Sequence, residues 1–168
     1  MIEEMSVNID SKLSDAASAG DEALVSQLLY QGPTVNWRGQ FGFTALHGAA
    51  KEGHNRVIYR LLVAGWSLEA RTDHGYTPLY LAAGDGHLET VNYLLRQGAD
   101  YDTEDMYMET PLHWASSNGH SEVVKTLLLH GANQEIRNVE GNTAEDDAIN
   151  DETRAVFREL ELELEERN

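Results

Sequence analysis

A period of 33 residues runs through this chain without insertion or loss. Thr44, Thr77, Thr110 and Thr143 fall one period apart, and so do Gly32, Gly65, Gly98 and Gly131. The unit is plainest from Gly75 to Asp100, GYTPLYLAAGDGHLETVNYLLRQGAD: a turn glycine, a Thr-Pro helix start, a short apolar helix, a Gly-His break, a second apolar helix and a closing glycine. Two short helices cannot bury an apolar face on their own, so copies of such a unit have to stack. The period therefore predicts a cooperative solenoid and not a string of separate domains.

The inner helices start TALHGAA, TPLYLAA and TPLHWAS. Thr44, Thr77 and Thr110 are suited to cap them, and Pro78 and Pro111 sit in the first turn, where a missing N–H costs little. Ala49, Ala50, Ala82, Ala83, Ala115 and Ser116 share a face and allow close approach between neighbouring helices. The outer helices carry an apolar stripe, for example Val57, Ile58, Leu61 and Leu62, repeated as Val91, Leu94 and Leu95 and as Val123, Val124, Leu127 and Leu128.

With T-P-L-H-x-A-like starts at this period, the chain resembles the ankyrin-repeat proteins over about residues 6–160. The resemblance implies an all-α ankyrin-repeat solenoid of stacked helix-turn-helix units with β-hairpin-like loops. The register predicts an N-terminal extension over 1–10, a capping repeat over 11–38, full repeats over 39–71, 72–104 and 105–137, and a C-terminal cap over 138–168. The caps are recognised by polar substitutions: Lys12 and Asp15 at one end, and Glu145, Asp146 and Asp147 at the other, where a terminal face has no neighbour. After Val156, Phe157 and Leu160 the outer stripe gives way to ELELELEE, so the last helix is expected to run on toward Asn168.

Composition narrows the function. The chain has no cysteine, which excludes a disulfide framework, a thiolate zinc site and a cysteine nucleophile, and suits a cytoplasmic or nuclear setting. A formal charge of −17 opposes binding to phosphate backbones, so no nucleic-acid partner is expected. The start MIEEMSVNID lacks the apolar stretch of a secretory signal, and no run of about 18 apolar residues occurs, so no membrane partner is expected either. Nearly half of the charge lies in residues 138–168, which hold eleven acids against three bases.

Catalytic and metal-site patterns are missing. No H-E-x-x-H, G-x-S-x-G, G-x-G-x-x-G or phosphate-loop motif is present. His54, His87 and His120 fall once per repeat, and layers about 8–10 Å apart cannot bring them to one ion. The resemblance implies that such histidines bond backbone at the helix break and that His47 and His113 link layers, with Tyr80 standing in the corresponding place of the middle repeat. The expectation is a monomer that is no enzyme and carries no cofactor or metal.

Function is then expected on the surface. In ankyrin repeats the hairpin tips and one side of the inner helices form a concave, protein-binding palm. By register the palm here holds Phe41, Phe43, His74, Tyr76, Met106, Tyr107, Met108, Glu109 and Trp114, aromatic and sulfur-bearing residues of the kind that anchor interfaces. Met108 takes the place of Gly42, Gly75 and Gly141, so this tip must change its turn or tolerate strain. The acids around Met106, Tyr107 and Met108 point to another protein with a basic and apolar surface. A stoichiometric inhibitor of an enzyme such as a kinase, and a homotypic assembly element, are the alternatives to an adaptor or scaffold. Trp37 and Trp66 are expected to fill a gap beside a hairpin. Asn36, in LLYQGPTVNW, resembles the hairpin asparagine that asparaginyl hydroxylase modifies in ankyrin proteins, with Thr34 departing from the acid that would strengthen the match.

Overall fold

The computed structural model describes the backbone of residues 2–165 and the side chains of residues 9–160 and 162. Among these residues the regular elements are helices and there is no strand. The inner row is α1 (Ile2–Ser18), α3 (Ala45–Lys51), α5 (Pro78–Gly84) and α7 (Pro111–Ser117). The outer row is α2 (Glu22–Tyr30), α4 (Asn55–Val63), α6 (Leu88–Arg96), α8 (Ser121–Leu129) and α9 (Asp151–Glu165). Inner helices pack on inner, outer on outer, and each pair on itself. None of the described helices is long and apolar enough to cross a membrane.

Capping chemistry starts each inner helix. The hydroxyls of Thr44, Thr77 and Thr110 accept from the backbone N–H of His47, Tyr80 and His113. The small inner-row residues Ala49, Ala50, Ala82, Ala83, Ala115 and Ser116 are fully buried, as are Val57, Ile58, Leu61, Val91, Leu94, Val124 and Leu127 of the outer stripe. The core is thus one continuous seam between the two rows, and truncating a single leucine in it costs about 2–5 kcal/mol.

Histidine sets the layer spacing in two directions. Nε2 of His54, His87 and His120 reaches back to the carbonyls of Ser18, Lys51 and Gly84 at 3.1, 2.6 and 2.9 Å. The break glycines make room for those rings: a Cβ on Gly20, Gly53 or Gly86 would stand 2.6, 2.8 or 2.6 Å from the imidazole of the next repeat, and each glycine has positive φ. His47 and His113 reach forward, Nε2 lying 2.9 Å from Tyr76 O and 3.2 Å from Asn142 O. Nδ1 of each accepts from the N–H of its own capping threonine, which leaves the proton on Nε2 to be donated across the layer.

The two ends differ from the repeats between them. At the N-terminal end α1 begins at Ile2 and runs across position 10 without a break. Ile9 packs against the core, and buried Asp10 accepts from Thr34 N–H at 2.7 Å. Spacing of four between Ile9 and Leu13 continues the apolar stripe N-terminally as far as Ile9. At the other end residues 144–147 form turns instead of an inner helix. Asp146 takes the histidine's place in the cap, accepting from the N–H and hydroxyl of Thr143 at 3.0 Å each, while Asp147 accepts from the side-chain amides of Asn138 and Asn142. Carboxylates that bond this locally compete with helix. The part of the ELELELEE run beyond Glu165 lies outside the described residues. Trp66 is buried and Trp37 half-buried, both against a narrow gap with Leu13 and Ala45.

Removing residues 138–168 strips Ala144 and Phe157, both fully buried, from the last layer. The truncated protein should unfold at a lower midpoint and aggregate on heating; a monomer with an unchanged midpoint would show that this segment is no cap. Stability should also depend on pH through the forward histidines. Burial pushes the His47 imidazole down to about 4, and burial lowers that of His113 as well. An unfolded imidazole keeps its ordinary value near 6.5. As pH falls from about 6.5 toward about 4 the unfolded chain gains protons that the folded one refuses, so stability is lost across that window, by on the order of a few kcal/mol. Chemical denaturation of a His47→Gln, His113→Gln variant should give a flatter profile; a slope equal to that of the parent would refute the assignment.

Candidate protein-interaction surface

Four hairpin tips line one side of the stack, each closed by a backbone bond between residues four apart. Gly39, Thr72, Asp105 and Asn138 donate to the carbonyls of Phe43, Tyr76, Glu109 and Asn142 at 2.7–3.0 Å. The turn needs a left-handed residue, supplied as Gly42, Gly75 and Gly141 and, in the third copy, as Met108 at φ 61. Met108 therefore keeps the turn and tolerates strain. Asp105 offsets part of that cost, its Oδ1 accepting from Tyr107 N–H at 2.8 Å and Glu109 N–H at 2.9 Å. The first tip carries a second left-handed residue, Phe41 at φ 55, inside a 3-10 turn over Gln40–Gly42.

Neighbouring tips are tied to each other by main chain. The N–H groups of Asp73, Met106 and Val139 donate to the carbonyls of Phe41, His74 and Tyr107, each at 2.9 Å. A parallel set of side-chain acceptors joins the loops below: Asn36 Oδ1, Glu69 Oε1 and Asp102 Oδ1 accept from the N–H of Ser67, Asp100 and Asn133 at 2.7, 3.0 and 2.9 Å. Asn36 is thus half-buried, left-handed at φ 59, and engaged through its amide oxygen. Its spacing of 33 to Glu69 and Asp102 was the signal for this ladder, which sequence reasoning did not use.

The expected palm residues divide into two groups. Phe41, Met106, Tyr107 and Met108 are exposed, at 58, 57, 49 and 45 % of their surface. Phe43, His74, Tyr76, Glu109 and Trp114 are half-buried. Phe43 packs on the His47 ring, with centroids 5.6 Å apart. A line of rings then runs from Phe41 past His74 to Tyr76, where the His74–Tyr76 centroids are 5.6 Å apart and nearly parallel. Tyr76, Tyr80 and Trp114 close a triangle with centroid separations of 4.8, 4.9 and 5.6 Å. Trp114 lies over Gly84, where a methyl group would collide with the indole. These rings are packing elements as well as surface, which the register alone did not reveal.

At the end of the aromatic line the chemistry changes. Tyr80 is longer than the histidines it replaces and reaches past the backbone, its hydroxyl donating to Asp105 Oδ2 at 3.1 Å with Glu109 Oε2 at 3.4 Å. Burial and the two carboxylates hold the Tyr80 phenol far above its ordinary range. Burial, then Asp105 and Asp147, raise the Glu109 carboxyl, and burial followed by Asp105 raises the Tyr76 phenol. Among the described residues no group of three or more histidines and carboxylates is arranged to hold a metal ion.

Comparison with known families matches the description "Ankyrin repeats (3 copies)" over residues 13–105 and "Ankyrin repeat" over residues 107–139. No match is found among curated proteins. Ankyrin repeats generally mediate protein–protein interaction and are typically non-catalytic. Matched repeats over most of the chain, and two helical rows held in register by glycine-spaced histidines, place this protein in the ankyrin-repeat family.

Proposed function

We propose that this chain is a monomeric, non-catalytic adaptor or scaffold that captures a partner protein on the concave side, centred on the tips of the third and fourth hairpins. The observation that carries this reading is the run Met106-Tyr107-Met108, three consecutive large apolar side chains each about half exposed and continuous with Val139 at 59 %. Contiguous exposed apolar surface marks interaction sites; Tyr buries a large area at low entropic cost, and the flexible Met side chains adapt to a partner's shape. Glu104, Glu140 and Asp73 are exposed around it, which favours a partner that is basic as well as apolar and disfavours nucleic acid. The net charge of −17 also opposes self-association and supports a monomer.

The test is affinity capture from a native extract followed by titration of the captured partner with purified protein. Because Tyr76 and Trp114 also pack, the discriminating variant is Met106→Ser with Tyr107→Ser, whose side chains are exposed. It should retain its helical spectrum and midpoint but lose about thirtyfold or more in affinity. Lys125→Glu with Arg96→Glu, on exposed positions of the outer row, should change affinity little. The reverse pattern would move the interface to the convex side.

Strain at Met108 gives a second test. Met108→Gly should raise stability by on the order of 1 kcal/mol, since glycine takes positive φ freely, while weakening partner binding through the lost apolar contact. A fall in the unfolding midpoint would show that the Met108 side chain is structural and not part of an exposed contact.

A further inference from the structure

Glu109 and the more deeply buried Asp105 are both without an ion-pair partner among the described residues, and of the two Glu109 is the one that reaches the surface. In the two preceding repeats its place is held by Phe43 and Tyr76, and in the next by Asn142. It is half-buried and takes part in no ion pair among the described residues. The neighbouring bases are committed elsewhere: the Arg71 guanidinium donates to the Glu104 carbonyl, and Arg137 bonds the Gly141 carbonyl and pairs with Asp146. The donor within reach of the Glu109 carboxylate is neutral, the Tyr80 hydroxyl at 3.4 Å. A desolvated carboxylate supported by neutral donors gains more from an incoming cation than a solvated one does.

Apolar surface adjoins this carboxylate on the same side. Tyr76 and Trp114, both half-buried, flank Tyr80 whose hydroxyl reaches Glu109, and the exposed Tyr107 and Met108 precede it in the chain. Resting on the concave-surface reading above, we infer that the partner anchors here through an arginine side chain, its aliphatic stem lying along Tyr76 and Trp114 and its guanidinium paired with Glu109. Arginine fits better than lysine for two reasons. Its guanidinium is more weakly hydrated, so it loses less on entering a half-buried site, and its planar fork can donate two bonds to one carboxylate. A long stem that buries against rings while its charged head finds an acid also suits a site that is aromatic on one side and acidic on the other.

Short peptides of equal length that alternate leucine with arginine, with lysine or with citrulline separate these features. Citrulline keeps the shape of arginine without its charge. Titrated calorimetrically into the full chain, the arginine peptide should bind at least about tenfold more tightly than either of the others. Glu109→Gln preserves an acceptor for the Tyr80 hydroxyl, so the fold should hold; it should remove the preference for arginine over citrulline, while Asp85→Asn, an exposed acid of the same side, should leave that preference in place. Equal binding of the arginine and lysine peptides, a preference that survives Glu109→Gln, or no saturable binding by any peptide would overturn the assignment. The broader surface reading is judged separately, by whether Met106→Ser with Tyr107→Ser still weakens capture of the native partner.

Discussion

The reach of one imidazole determines how this molecule is built. An inner helix of seven residues has little stability alone. It persists because its neighbours are held at a fixed distance, and that distance is the length of a histidine side chain bonded to a carbonyl one layer away. The break glycines, the alanine-rich inner faces and the outer stripe of valine and leucine all presuppose this spacing. A larger gap would open cavities between the rows, and a smaller one would drive the imidazoles into the preceding turn.

The middle of the stack keeps that bond through His87 but departs in the second, forward link, and the departure lies next to the surface with most exposed apolar side chains. Where His47 and His113 donate to a main-chain carbonyl, Tyr80 donates to a side-chain carboxylate of the following repeat. The interlayer link is preserved, but it now depends on the residues at 105 and 109 and not on backbone alone. Acidic groups are thereby drawn into partial burial beside Tyr76 and Trp114. In this layer the interlayer link and the acidic surface share the same side chains, whereas the layer below links through a main-chain carbonyl.

Much of this architecture was legible in the sequence because the 33-residue period places caps, break glycines and stripes without further assumption. The ends were less so. The first helix lacks a Thr-Pro start, so its course N-terminal to Ser11 could be read only as far as the spacing of Ile9 and Leu13 carries it, and the last inner helix was lost to local bonds of Asp146 and Asp147 that composition does not announce. At the surface, register placed the tips correctly but said nothing of how far each ring is covered. Trp114 is covered by Gly84 and Tyr80 of the preceding inner helix, and Tyr76 stacks on both Tyr80 and Trp114. One signal was available and unused: His47 to Tyr76, His113 to Asn142 and Tyr80 to Glu109 are all 29 residues apart, so the altered link at Tyr80 had an identifiable partner.

The main-chain bonds between successive tips carry a consequence for how such a surface can change. Asp73, Met106 and Val139 are joined to the preceding tips through N–H and C=O groups that every residue except proline provides. The pitch of the surface is therefore insulated from the identity of the side chains displayed on it. A substitution at Met106 or Tyr107 alters what is presented without moving its neighbours, whereas proline at any of the three donor positions would break the alignment itself. The side chains on display can therefore change one tip at a time, along a scaffold whose geometry stays constant.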